Sequence, residues 1–254
     1  MLEVDVAIRR AQDLGDYHAC VELQEEVWAA SMRETHASLA ILKIANEHGG
    51  SVLLAEDGTG RTIGFSFAML GKGIWWSHMT AVTPEYRTKQ VGLSLKLRQR
   101  EEALKEGIGE IQWTFDPLRA LNAHFNFHKL GVIVRRYEEN AYGTTNSALH
   151  HGLPTDRFIA EWHLRPDREN GIILRDLNRI PRINSSEADA RFDLADDSLL
   201  LEIPADIENV ADPRAWQSML RDVCRHYFAQ GYMVEDFFRL DRPLYLLSRT
   251  SARL

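Results

Sequence analysis

The run Val82-Thr83-Pro84-Glu85-Tyr86-Arg87-Thr88-Lys89-Gln90-Val91-Gly92-Leu93-Ser94 holds the densest chemistry in the chain. A β-compatible segment stops at Thr83-Pro84, two cations follow at Arg87 and Lys89, and an amphipathic helix begins at once. The first turn of a helix leaves N–H groups without intrahelical acceptors and puts the positive end of the helix dipole behind them, which suits a pyrophosphate. Gly92 lets a phosphate approach the main chain, and Arg87 and Lys89 add positive charge in the same place. A strand, turn and glycine-containing helix occurs in many α/β proteins, so the pattern gains meaning only from the order of elements around it.

Other residue types invite a chemical reading. His78, on the preceding β segment, has an intrinsic pKa suited to proton transfer near neutrality, and Asp116 at the end of a later one is the second candidate base. A satisfied interior histidine is an equal reading of His78. Trp75, Trp76 and Trp113 alternate as core or pocket wall. His124 and His128 stand four apart, a zinc-compatible spacing, but the Glu of HExxH and a third ligand are missing, so no metal is expected. Asp156 and Arg157 read as a surface turn. The functional alternative has Arg157, with Arg135 or Arg136, gripping a substrate carboxylate through its planar fork.

The elements that must position these residues follow from periodicity. Val4–Arg10 alternates as a half-buried strand, and Asp16–Trp28 reads as a helix. Thr35 is placed to cap a second helix ending near Asn46. Ser51–Glu56 and Thr62–Leu70 form a hairpin about Asp57-Gly58-Thr59-Gly60, and Ile74–Val82 is the next strand. A helix from Val91 to Glu106, a strand Glu110–Phe115, a helix Arg119–Leu130 closed by Gly131, and strands Val132–Tyr137 and Arg157–Leu164 complete this part. The loop Tyr142–Thr155 is long enough to suspect substrate contact. Residues 165–195 are polar and turn-rich, a linker or surface excursion. Beyond them Leu199–Ile203, a helix Asp212–Gln230, Gly231, and strands Tyr232–Leu240 and Leu244–Ser248 echo the order from Glu110 to Leu164. That echo reads as an internal half-repeat or as coincidence.

The 254 residues carry 30 Lys+Arg against 37 Asp+Glu, a formal charge of −7, with 44% hydrophobic and 26% charged residues. These values exclude whole-chain disorder and argue against a broad surface for nucleic acid or anionic lipid. Apolar runs fall far short of the roughly 20 residues needed to cross a bilayer, and the charged beginning of the chain lacks a secretory h-region. A cytoplasmic protein is expected. Cys20 and Cys224 form no CxxC and read as buried thiols.

With the elements in place, Val82, Pro84, Arg87 and Gly92 resemble the V-x-P-x-x-R and Q/R-x-x-G-x-G/A signature of the GNAT superfamily of acyl-CoA N-acyltransferases, although Gln90 stands where its first glycine belongs. Phe127-His128-Lys129-Leu130-Gly131 is similar to the family's aromatic-x-x-Leu-Gly helix end. The runs Trp113–Leu118, Asn122–Asn126 and Leu153–Arg157 resemble a subgroup of predicted GNAT acetyltransferases with a C-terminal extension. The resemblance implies an α+β fold, a mixed and mainly antiparallel sheet flanked by helices, over residues 1–164, with a smaller α/β extension over 165–254. It implies that strands Ile74–Val82 and Glu110–Phe115 splay, and that acetyl-CoA or another acyl-CoA lies along Met79, Thr80, Ala81, Val82, Arg87, Thr88, Lys89, Gln90, Val91, Gly92, Leu93, Ser94, Asn122 and Phe127. Main-chain N–H groups near His78–Thr80 would polarise the acyl carbonyl, and the amine of a small molecule, an amino acid among the candidates, would attack it directly. His78 or Asp116 is then the base. The family's usual acid is a Tyr where this chain has Phe127, which leaves Tyr137 or Tyr142 to serve, and Arg135 and Arg157 are the expected substrate contacts. Neither nucleic acid nor membrane is an expected partner, a homodimer is admitted, and the rival readings are a non-catalytic acyl-CoA-binding module and an interaction scaffold.

Overall fold

The computed structural model describes residues 6–28, 36–143, 153–164 and 176–249. It gathers the chain into two compact units, Met1–Trp113 with His163–Arg165, and Thr114–Trp162 with Pro166–Leu254. The division expected from sequence, 1–164 and 165–254, is a partition by resemblance and follows a different line.

In the first unit the strands lie in the order β1 (Val6–Arg10), β2 (Ser51–Asp57), β3 (Thr62–Gly71), β4 (Ile74–Val82) and β5 (Glu110–Phe115, whose last two residues belong to the second unit). The first four pair antiparallel and β4 pairs parallel with β5. Helices α1 (Leu14–Trp28) and α2 (Leu39–Glu47) cover a core of Tyr17, Cys20, Leu23, Leu42, Val52, Leu54, Phe65, Phe67 and Ala81. Helix α3 (Val91–Lys105) seals a second cluster, Val91 and Leu95 against Leu53, Ala55 and Ile63. Alternation along β2 sends Val52 and Leu54 into the first cluster and Leu53 and Ala55 into the second, as a strand period of two requires, while on β3 a register shift at Ile63 turns that residue to the second cluster and leaves Phe65 and Phe67 in the first. The cap of α2 is Ser38, whose side chain accepts the Ile41 N–H, rather than Thr35, which lies outside the described residues. Ser38 is in the better place because an N-cap hydroxyl must reach an N–H two or three residues ahead.

The second unit holds β6 (Ile133–Glu138), β7 (Arg157–His163), β8 (Ser198–Glu202), β9 (Tyr232–Phe238) and β10 (Leu244–Arg249) in the order β7-β6-β9-β10-β8, all antiparallel. The helix expected over Arg119–Leu130 is α4 (Ala120–His124) continued by a π-helical turn, Phe125–Leu130, which directs both Asn126 and Phe127 inward. Helix α5 (Pro213–Ala229) packs on β6 and β9 and buries Trp216, Leu220, Val223, Cys224 and Tyr227. The excursion before β8 is tied down where described: Ile183 N–H donates to Leu200 O, while Tyr227 and Tyr232 hydroxyls donate to the carbonyls of Arg191 and Asp196. Both cysteines are free and buried, and burial pushes the Cys20 thiol up to about 12.

The half-repeat has a geometric counterpart. Strands β6 and β9 each follow a glycine in the left-handed region, Gly131 (φ 69°) and Gly231 (φ 84°), and they pair antiparallel with Val134 opposite Val234. Strand β7 flanks β6 on its outer side and β10 flanks β9, so the four strands are related by a local two-fold passing between the two valines.

Candidate active site

The signature segment folds as the sequence suggests, with one local surprise. Thr83 leads into a short 3-10 turn, Pro84–Tyr86, and then α3 begins at Val91. Gln90 is the N-cap residue and sits at φ 61°, ψ 10°, the left-handed region that glycine enters freely. The loop thus keeps the path a glycine would give, at a conformational cost of about 1–2 kcal/mol for an L-residue. Tyr86 anchors it, its hydroxyl donating to Asp57 Oδ2 at 3.1 Å. Asp57 in turn closes the β2–β3 hairpin by accepting from the Thr59 hydroxyl and from the Thr59 and Arg61 N–H groups, and these bonds lower its pKa to about 2.

Of the amides expected to meet a pyrophosphate, Lys89 N–H is used by Tyr86 O and Ser94 N–H by Gln90 O. The cradle is narrower than Lys89–Ser94 for that reason: among the described residues no acceptor takes the N–H groups of Gln90, Val91, Gly92 and Leu93. A Cβ built on Gly92 would meet only Val82 Cγ2 at 3.9 Å, so internal packing does not demand a glycine and the space beside it is open. Arg87, Thr88 and Lys89 are exposed; Arg87 Nε donates to Val82 O at 3.3 Å and Lys89 Nζ lies 4.3 Å from the Tyr86 ring centre. No described carboxylate pairs with either cation. An anion of the pyrophosphate class fits this donor set.

Strands β4 and β5 pair only at Trp75↔Ile111 and Trp76↔Gln112, and beyond these the ladder ends. The splay expected from the resemblance is therefore present. On its other edge β4 pairs with β3, but the register slips: Phe67 faces Met79 and Ala68 faces Ser77, so His78 is the extra residue of a bulge. Bulges redirect a side chain and release main-chain groups from the ladder, which places His78 and the amides beside it where a ligand in the splay could meet them. His78 is exposed to solvent, with its ring edge-on to Phe67 at 5.9 Å, and surrounding protein lowers its pKa by desolvation. Met79 and Ala81 pack toward the α1–α2 cluster and Val82 toward α3, while the Thr80 hydroxyl is buried without a hydrogen-bond partner.

One residue of this region carried no chemical reading in the sequence. Lys96, on α3, is 4% exposed; its Nζ donates to Ser77 Oγ at 2.8 Å and lies 3.8 Å from the Trp113 ring centre. Burial lowers its pKa to about 7. The only sequence signal was a lysine at i+5 from Val91 on the apolar side of an amphipathic helix.

The remaining candidates lie in the second unit. Tyr137 donates its hydroxyl to buried Asp156 at 2.6 Å, and Asp156 also accepts from Arg221 Nε at 3.0 Å and Asn140 N–H at 3.0 Å. That hydroxyl is held protonated by desolvation and by the carboxylate, so Tyr137 is placed as a structural donor. Asp156 is 1% exposed, which replaces the expected surface turn by a buried charged network. Tyr142 remains half-exposed, its hydroxyl 2.8 Å from Thr114 Oγ1 and the Arg157 guanidinium 5.7 Å from its ring centre. Asp116 accepts the Leu118 N–H and lies 3.6 Å from Arg119. Arg135 pairs with Glu161 at 3.6 Å, and Arg157 donates to the Asp156 carbonyl. Asn122 is exposed on α4.

Phe127 corrects an expectation. It is 4% exposed and packs edge-on to Phe115 and Tyr245, so it is a core residue and no wall of a ligand site. The helix widens into a π turn there, and that turn carries the ring inward. His124 and His128 stack at 4.7 Å between ring centres. Residues 144–152 of the suspected substrate loop, including His150 and His151, lie outside the described residues.

No family model matches the chain, and no curated protein matches it. Solved structures do. The ribosomal-protein-S18-alanine N-acetyltransferase from Escherichia coli superposes with a TM-score of 0.52 at 16% identity, covering 65% of this chain and 98% of that one. The protein yncA from Salmonella typhimurium, solved with its cofactor acetyl-CoA, gives 0.52 at 20% identity over 63% and 95% of the two chains. An N-acetyltransferase from Staphylococcus aureus Mu50 gives 0.51 at 14% identity over 63% and 99%. Each is matched over nearly its whole length and leaves about a third of this chain beyond it. With a splayed β4–β5 pair, a bulge at His78 and an amide cradle opening α3, the chain has the GNAT fold, the fold of the N-acetyltransferases.

Proposed function

We propose that the chain is an N-acyltransferase that moves an acetyl group, or another short acyl group, from CoA to the amine of a small molecule. The observation that carries this reading is the ladder of β4 and β5, which stops after two pairs beside four unclaimed amides at the start of α3. Residues 1–164 form the acyl-CoA-binding domain and 165–254 the extension. Gln90–Leu93 would hold the diphosphate with Arg87, and the bound coenzyme would supply the thioester. Amides at the β4 bulge polarise the carbonyl, His78 accepts the proton of the attacking amine, and Tyr142 is the candidate donor to the departing thiolate. Arg157 and Arg135 are the substrate contacts. The reaction takes place in the cytoplasm.

Phe127 supports a second reading, an acyl-CoA-binding module without turnover, because a phenyl ring has no proton to give at the position where the family carries a tyrosine.

Two measurements test these readings. Acetyl-CoA is expected to raise the melting temperature of the full chain, since a ligand selective for the native state adds RT ln(1 + [L]/Kd) to stability. Release of free thiol from acetyl-CoA in the presence of an amine panel then separates enzyme from binding module. Absence of any shift with acetyl-CoA, succinyl-CoA and CoA would refute both.

A further inference from the structure

Lys96 stands at the branch of the splay. The β4–β5 ladder runs Trp75↔Ile111, Trp76↔Gln112, and the next position in that register is Ser77 opposite Trp113. These two residues do not form a third pair of the ladder. Instead both side chains turn to the same ammonium group: Ser77 Oγ accepts from Lys96 Nζ at 2.8 Å and the Trp113 ring faces it at 3.8 Å. Helix α3 thus carries the amide cradle in its first turn and, about 7.5 Å further along its axis, a cation set where the two strands part.

Packing alone does not account for a lysine there. Lys96 is buried, no described carboxylate pairs with it, and desolvation is the sole resolved influence on its titration. An apolar side chain of similar length would fill the same volume without the cost of burying an ammonium group. What the ammonium adds is direction: a donor toward β4 and a cation toward the π face on β5.

We propose that Lys96 is a positioning residue that holds β4 and β5 apart, its head group occupying the branch at Ser77 and Trp113 so that the cleft for the coenzyme's pantetheine arm is open before the coenzyme arrives. This deepens the acyl-CoA reading and rests on it for the identity of the occupant, while the wedge itself is a property of the free chain.

The test is amide hydrogen exchange on the full, ligand-free chain, comparing wild type with Lys96→Met, Lys96→Arg and Ser77→Ala. Lys96→Met is expected to let the ladder lengthen, slowing exchange across residues 77–80 about tenfold, and Lys96→Arg to restore the wild-type pattern. Ser77→Ala removes the acceptor without touching α3 and is expected to slow the same amides; it decides the matter should Lys96→Met fail to fold. Wild-type exchange at 77–80 in a folded variant lacking the ammonium or its acceptor overturns the wedge. Under turnover, Lys96→Met should raise KM for acetyl-CoA about tenfold with kcat changed less than threefold. Failure of acetyl-CoA to protect residues 90–93 of the wild type sinks the coenzyme reading and leaves the ligand-free exchange result standing.

Discussion

Val134 and Val234 face each other across the β6–β9 pair, and each lies three residues after a glycine in the left-handed region. Strand β9 lies in the stretch beyond residue 164, so that stretch supplies the strand that covers the edge of β6. It also adds Tyr245, whose ring packs on Phe127 and Phe158 and whose hydroxyl donates to Pro117 O at 2.6 Å.

A chain ending at residue 164 is therefore expected to expose the β6 edge and an aromatic cluster and to aggregate. Size-exclusion chromatography of the truncated and full chains checks this. A monomeric, cooperatively melting truncation would show that the extension is dispensable for folding.

Gln90→Gly should raise stability. The left-handed backbone costs an L-residue about 1–2 kcal/mol, and the added freedom of glycine in the unfolded chain returns about 0.5–1 kcal/mol of that, for a net gain of about 0.5–1 kcal/mol. Denaturant melts read the gain directly. No change, or a loss, would mean that the Gln90 side chain makes compensating contacts.

At Gly92 the expectation is a split between folding and ligand binding. Only Val82 Cγ2, at 3.9 Å, meets an added Cβ, so Gly92→Val should leave the melting temperature within a few degrees while weakening acetyl-CoA at least tenfold. Titration by calorimetry distinguishes this from a variant that merely unfolds.

Lys96 predicts a pH dependence of stability. Its pKa falls from 10.5 in the unfolded chain to about 7 in the folded one. Between these values the unfolded state binds more protons, so the contribution of Lys96 rises with pH, by at most about 1.4 kcal/mol per unit, and is level below 7. The wild type should therefore gain on Lys96→Met from pH 7 to 9 and fall behind it at pH 6. Parallel curves for the two proteins would place the titration elsewhere.

Tyr137 and His78 should part company. Tyr137→Phe removes one donor from buried Asp156, which keeps Arg221 and the Asn140 N–H, and is expected to cost about 1–3 kcal/mol of stability with turnover unchanged. His78→Ala should retain acetyl-CoA binding and lose turnover. In the wild type the acidic limb of kcat/KM should fall below the ordinary histidine range, because the protein around the ring partly desolvates it and favours the neutral form, and that limb should vanish in His78→Ala.

What the amino-acid order determined by itself was local. Period-two alternation, the Asp57–Gly60 turn, Pro84, and the glycines at 107, 131 and 231 place the strands and helices to within a few residues, because each signal acts on its own backbone. The amide cradle was legible for the same reason, as a strand, a turn and a helix start within a dozen residues. Only the tertiary structure decided the rest. Whether β4 and β5 part, which Trp76 and Gln112 settle across 36 residues, depends on what stands between them. That Phe127 turns into the core, that Asp156 is buried with Arg221, and that Lys96 meets Ser77 and Trp113 depends on partners far along the chain. A charge written in sequence carries no mark of its burial, and burial sets what that charge can do.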